Sequence, residues 1–408
     1  MKKITYQLFP FFLCLIFMFP IVKESFSSFF IILLGINTLI YKILSKNYSV
    51  IKPKTLLLTI PFWIILVPSV FSKNYALSFL HVNHGLYFLI IPILFSMVPC
   101  EFFSKNKINL YFNVLKNTCL LIAIIYVVSF FINIPLWRLN FKDGSVFREY
   151  VYNYFKLFVI HPSYYTTILI LVCAHSFDLV LKEKKYWQLV YVFSFLAINF
   201  LLLTKLNIVI MVITLIFMLL FRSLLNFKQK IIGILMSVIC VFLFILFVPG
   251  LKNRFVETYQ GFNSKPEALA FNSTNIRKAI FDCSIEISKE NLTHGVGFEN
   301  LQANLNNCYK ANYDSSFYQK TSYMTHNYYF YILLSTGMIG FLVYLFYLIN
   351  IINISLKSNN FLFKVMLFNA LTICFIEDYF YRQFGLLYFS IMVMVFLRHH
   401  QNMQEINK

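Results

Sequence analysis

His326 and Asn327 stand where a long polar stretch, roughly 249–327, gives way to an apolar run, and Gly337 and Gly340 follow inside that run. An imidazole titrates near physiological pH, so a histidine at such a boundary can take a proton from a hydroxyl. Upstream, Ile276, Ala279, Ile280, Cys283 and Ile287 recur at helical spacing, with Asn272, Ser273, Thr274 and Asn275 as available N-caps. Arg277 falls in the first turn of that helix, where a cation opposes the dipole. An anion bound at the same entrance would remove the conflict, since free N–H groups and the guanidinium would converge on it. Otherwise Arg277 is simply exposed.

Other polar residues cluster at the ends of apolar runs. His161-Pro162-Ser163-Tyr164 opens one, and proline in the first helical turn puts His161 at the helix entrance. There it either donates to a phosphate or sugar or caps its own helix. Lys205 lies in the tight turn Thr204-Lys205-Leu206-Asn207, where a lone lysine would normally snorkel to water. His81, Asn83 and His84 either face a polar headgroup or are ordinary interfacial residues. Glu377 and Asp378 end another run, and Arg382 is the expected partner of a structural ion pair with Glu377. Gly337 and Gly340 would let a neighbouring helix or lipid approach closely. The eight cysteines form no CxxC pair and no metal spacing. Cys283 and Cys308 alone fall in the long polar segment, on apolar helical faces, as a disulfide or as two packed thiols.

The elements that hold these residues are set by composition. The 408 residues include 49 phenylalanines, only 12% are charged, and mean hydropathy is +0.71. A soluble domain carries about twice that charge, so the expected fold is an all-α integral membrane protein. Apolar runs near 8–22, 26–44, 55–71, 77–98, 112–134, 159–181, 187–203, 206–225, 231–248, 328–353, 362–380 and 384–397 predict about twelve transmembrane helices. The first run resembles a signal peptide but lacks a small-residue cleavage site, so it is read as a membrane helix.

The net charge of +19 is explained by orientation rather than nucleic acid. Lys42, Lys46, Lys105, Lys107, Lys182, Lys184, Lys185, Lys228, Lys230 and Lys357 fall on one side, with both termini. The short loops opposite hold chiefly Lys23, Lys73, Lys205 and Arg382. This bias puts 249–327 outside, as a long helical loop between helices 9 and 10. The chain then divides into a scaffold over 1–134, helices 6–9 over 135–248 with a basic outer loop at 135–158, the loop 249–327, and helices 10–12 with a cytoplasmic tail over 328–408. Arg138, Lys142, Arg148 and Lys156 make the 135–158 loop basic.

The pattern His-Asn, nine residues, Gly-x-x-Gly from His326 to Gly340 resembles the signature of the O-antigen ligase and polymerase superfamily. Arg277-x-x-x-Phe281, Gly295-Val296-Gly297-Phe298, His161-Pro162-Ser163-Tyr164 and Glu377 fall where related sequences carry similar residues, so the resemblance covers roughly 160–390. It implies a GT-C-like, metal-independent glycosyltransferase of the bacterial inner membrane that works at the periplasmic face without a cofactor. The donor would be an undecaprenyl-pyrophosphate-linked glycan. The acceptor would be a lipid A-core sugar for a ligase or a second lipid-linked repeat for a polymerase. His326 would be the base, with Arg277, Lys205 and Arg148 on the pyrophosphate and His161, Asn327 and Tyr164 on donor or acceptor. Related sequences carry an arginine in the turn that holds Lys205, and lysine supplies charge without the bidentate fork. The complete His-Asn motif favours the ligase over the polymerase. A lipid-linked glycan transporter, the rival from another class, would show internal repeats and ionisable residues in mid-span.

Overall fold

The computed structural model describes residues 1–46, 53–134, 146–155, 157–158, 160–221, 226–247, 256, 258–261, 273–313, 318 and 321–406. Every regular element among them is helical. Arg138, Lys142 and Lys156 of the basic loop, Asn272, and most of 249–272 lie outside the described residues. Among the described residues, five helical stretches are long and apolar enough to cross a membrane: Glu24–Ser45, Tyr75–Met97, Lys105–Asn133, Pro162–Glu183 and Tyr328–Lys357. Shorter apolar helices cover Leu57–Val70, Tyr186–Leu201, Lys205–Leu220 and Phe361–Ile373.

The chain forms two compact units, one of residues 1–46 and 102–255, the other of 47–101 and 256–408. In the first unit, Pro162–Glu183 is the central helix, with 83% of its apolar window buried. Its start follows from sequence: Pro162 takes the first turn, where no N–H is needed, and His161 caps it. Buried polar groups cross-link the neighbouring helices. The Tyr165 hydroxyl donates to the Cys119 carbonyl of Lys105–Asn133 at 2.6 Å, and the Asn37 amide donates to the Thr5 carbonyl at 3.0 Å. In an apolar surround such pairing is what makes the polar groups tolerable.

The second unit contains Tyr75–Gly85 and Tyr87–Met97, which meet at Leu86. It also holds Ser273–Glu290, Leu301–Asn312, Tyr328–Lys357, Phe361–Ile373 and Gln383–Ile406. The amphipathic helices Ser273–Glu290 and Leu301–Asn312 turn Ile276, Ala279, Ile280, Leu301, Leu305 and Tyr309 inward. They are joined by a disulfide between Cys283 and Cys308. The run expected as one span over 362–380 stops being helical at Ile373. Glu377 and Asp378 therefore lie on a non-helical segment before Gln383–Ile406, free to reach residues far away in the chain.

Candidate functional site

Asn327 begins the helix Tyr328–Lys357, and its side-chain oxygen accepts from the N–H groups of Tyr329 (3.0 Å) and Phe330 (3.1 Å). It satisfies two of the donors that every helix start leaves open. Its side-chain oxygen is thereby engaged as a helix cap. The chain just before it is tied to the segment after Ile373. Asp378 accepts from the Thr325 hydroxyl, from the His326 N–H (2.9 Å) and from the Asn327 N–H (3.2 Å). The Tyr328 N–H reaches the Cys374 carbonyl at 2.8 Å. These bonds hold His326 at φ 41°, a left-handed conformation costing about 1–2 kcal/mol in a residue other than glycine. Asp378 is 7% exposed. Burial pushes its carboxyl above the ordinary carboxylate range, against the opposing pull of His326 and the three donors.

The His326 side chain faces Glu377. Its Nδ1 lies 3.6 Å from Glu377 Oε2, outside hydrogen-bond reach, and has no hydrogen-bond partner. The other carboxylate oxygen, Oε1, accepts from the Arg277 guanidinium at 3.0 Å. Glu377 therefore sits between the two residues expected to carry the chemistry. Pairing with Arg382 was the expectation; the described ion pair of Glu377 goes to Arg277, a hundred residues away, because the non-helical segment turns the acid towards Ser273–Glu290. The anion that would relieve Arg277 in the first turn of its helix is thus supplied by the chain itself. One turn further along, Phe281 packs edge-on against Phe330, with ring centroids 5.5 Å apart, and seats the helix beside the His326 junction.

Gly337 breaks the helix that Asn327 begins. It has φ 67° and ψ −169°, a region open only to glycine. The break frees backbone groups that an intact helix would pair four residues apart. Residues 292–297 take up all three: Val296 N–H donates to Leu334 O (2.7 Å), Gly297 N–H to Ser335 O (3.1 Å), and Met338 N–H to Leu292 O (2.8 Å). Irregular backbone inside an apolar span is tolerated where protein covers it in this way. The approach is close enough to require a second glycine, since a Cβ on Gly295 would lie 2.5 Å from Leu334 O. Gly337 and Gly295 therefore serve this crossing rather than a helix–helix or lipid contact. Gly340 accommodates the Thr336 side chain of its own helix, which would be 2.1 Å from an added Cβ.

Residues from the other run of helices complete the second unit. His81 Nδ1 and the Tyr331 hydroxyl are 2.7 Å apart, and the Ser78 hydroxyl donates to Glu299 at 3.1 Å. His81 thus has a partner within the protein, one turn beyond the capped start of Tyr328–Lys357. Only the period of the apolar residues in Tyr75–Gly85 could have hinted at this inward face.

Lys205, Arg148, His161 and Tyr164 all belong to the first unit. His161 Nδ1 accepts from the Ser163 N–H at 3.4 Å, the capping alternative, while its ring meets Tyr152 edge-on at 4.9 Å. Arg148 stacks on the same Tyr152, its guanidinium carbon 4.3 Å from the ring centroid. Tyr164 is buried. The Lys205 turn is fixed by its neighbour Asn207, whose amide donates to Ser163 O at 3.0 Å and to the Thr166 hydroxyl. The start of the helix Lys205–Phe221 is thereby tied, through Asn207, to the start of Pro162–Glu183 that His161 caps. The role of Asn207 had no sequence signal beyond a polar residue in an apolar run. Among the described residues no cluster of three or more His, Cys, Asp or Glu side chains could hold a metal ion.

A family model described as O-antigen ligase matches residues 189–345, a segment that takes in Lys205, Arg277, His326, Gly337 and Gly340. This supports the O-antigen ligase and polymerase superfamily that the motifs resemble. No curated protein matches the chain.

Proposed function

We propose that this chain, which carries the O-antigen ligase segment over residues 189–345, is a glycosyltransferase that moves a glycan from undecaprenyl pyrophosphate to the hydroxyl of a lipid A-core sugar. The reading is carried by one observation: the His326 imidazole and the Arg277 guanidinium face the same Glu377 carboxylate. A proton acceptor and an anion-binding cation so placed suit displacement of a pyrophosphate by a hydroxyl. Arg277 holds the phosphates and stabilises the charge that develops on them. His326 accepts the proton of the acceptor hydroxyl as its oxygen bonds the anomeric carbon. The bond from that carbon to the phosphate oxygen breaks, and the electron pair leaves with undecaprenyl pyrophosphate. Attack in one step inverts the anomeric centre, with no cofactor. A site on the periplasmic side of the inner membrane fits both the family resemblance and the charge bias of the loops, which puts this segment on the non-cytoplasmic side.

A deletion strain complemented with wild type or His326→Ala tests this reading. The variant is expected to accumulate undecaprenyl-linked glycan and to lack it on the surface. Normal surface glycan would refute the role of His326. Short glycan still attached to the surface would assign the same chemistry to a polymerase.

A further inference from the structure

Of the two acids beside His326, Asp378 is committed: both of its oxygens accept from Thr325, His326 and Asn327. Glu377 is differently placed. One oxygen is held by Arg277 at 3.0 Å, and the other stops 3.6 Å short of an imidazole nitrogen that lacks a hydrogen-bond partner. A shift of well under the length of a bond would close that gap. The guanidinium that restrains the carboxylate is the group proposed to receive pyrophosphate.

We propose that Glu377 is a positioning residue that couples donor binding to His326: pyrophosphate takes Arg277 from it, and Oε2 of Glu377 then closes on His326 and accepts its Nδ1–H. This rests on the function proposed above. The hydrogen bond fixes the tautomer in which Nδ1 carries the proton and Nε2 the lone pair, because the partner of one ring nitrogen sets the state of the other. The acceptor hydroxyl then delivers its proton to Nε2, the imidazolium so formed is balanced by the Glu377 carboxylate, and Glu377 stays ionised throughout. Before the donor arrives, Nδ1 lacks this acceptor, so an acceptor entering first meets an imidazole whose tautomer is not fixed. Donor binding precedes productive acceptor binding.

The test uses the full chain in lipid nanodiscs, labelled with ¹⁵N-histidine, and inorganic pyrophosphate as the probe. The resonances of His326 are those lost in His326→Ala. In the wild-type protein, pyrophosphate is expected to move Nδ1 towards the protonated shift and Nε2 towards the unprotonated one, a readout that needs no variant to fold. Glu377→Gln, which removes the competing charge from Arg277, is expected to bind pyrophosphate about two- to five-fold more tightly, as loss of a partly exposed ion pair implies. It should show no tautomer change and lower kcat at least about ten-fold without raising the donor KM. An unchanged His326 spectrum on adding pyrophosphate to wild type, or equal or weaker pyrophosphate binding by Glu377→Gln, would overturn the proposal. If Glu377→Gln behaves as wild type while His326→Ala is inactive, the coupling falls and the base assignment stands. Full activity of His326→Ala would remove the base and the coupling together.

Discussion

Gly337→Ala adds a methyl group at φ 67° and ψ −169°, where it would meet Thr293 O at 2.2 Å and the Thr293 carbonyl carbon at 2.4 Å. Both obstacles are backbone, so no rotamer change relieves them. Holding a residue other than glycine in that region costs about 1–3 kcal/mol, and forcing the overlapping segments apart costs about 1–3 kcal/mol more. Separation also lengthens the three bonds that tie residues 292–297 to Leu334, Ser335 and Met338, each worth ~1 kcal/mol net. The expected loss is therefore about 2–9 kcal/mol, the upper end applying if all three bonds are lost. For a cooperative unit of roughly 200 residues it lowers the melting temperature by at least about 4 °C. Thermal unfolding of purified protein in detergent measures it, with Gly233→Ala as the control. Gly233 lies inside the helix Phe227–Phe247 and its nearest neighbours are Leu219 methyls at 3.0 Å, which can rotate away. That change should stay within about 1 kcal/mol. A Gly337→Ala protein that melts with wild type would refute the broken helix and the docked 292–297 segment together.

Asp378→Asn places a donating amide before three donors, and should lower stability by about 1–3 kcal/mol in the same melting assay; a neutral result would remove Asp378 as the clasp of the His326 junction. Reducing the Cys283–Cys308 bridge, or changing both cysteines to serine, frees a loop of sequence separation 25 and should cost about 3–4 kcal/mol, read as a lower melting temperature with reductant. At Lys205, glycan transfer should survive Lys205→Arg better than Lys205→Ala; equal transfer by all three proteins would exclude it from phosphate binding.

What could be read from the sequence was whatever is local. The apolar runs marked an all-helical chain, Pro162 marked a helix start, and the order Arg277, His326, Gly337, Gly340 named the candidate site. Contacts set by distant parts of the chain were not legible. Glu377 was matched to Arg382 because the two are near in sequence, yet its ion pair reaches back to Arg277. Asp378 clasps residues 51 to 53 positions earlier, and nothing local to it signals three donors. Gly337 was hidden for a different reason. The apolar residues on either side of it read as one uninterrupted span, and hydrophobic periodicity does not register a single residue of non-helical backbone. Asn327 shows the reverse case. An asparagine before an apolar run is a strong N-cap signal, and the capping role was there to be read ahead of the ligand role.

The proposed role of His326, taking the proton of the attacking hydroxyl, is read by single-turnover transfer with purified protein in vesicles preloaded with lipid-pyrophosphate-linked glycan. His326→Gln should bind the loaded donor as wild type does and slow transfer by about 10²–10⁴-fold, the range of a lost general base. Transfer at the wild-type rate would contradict it.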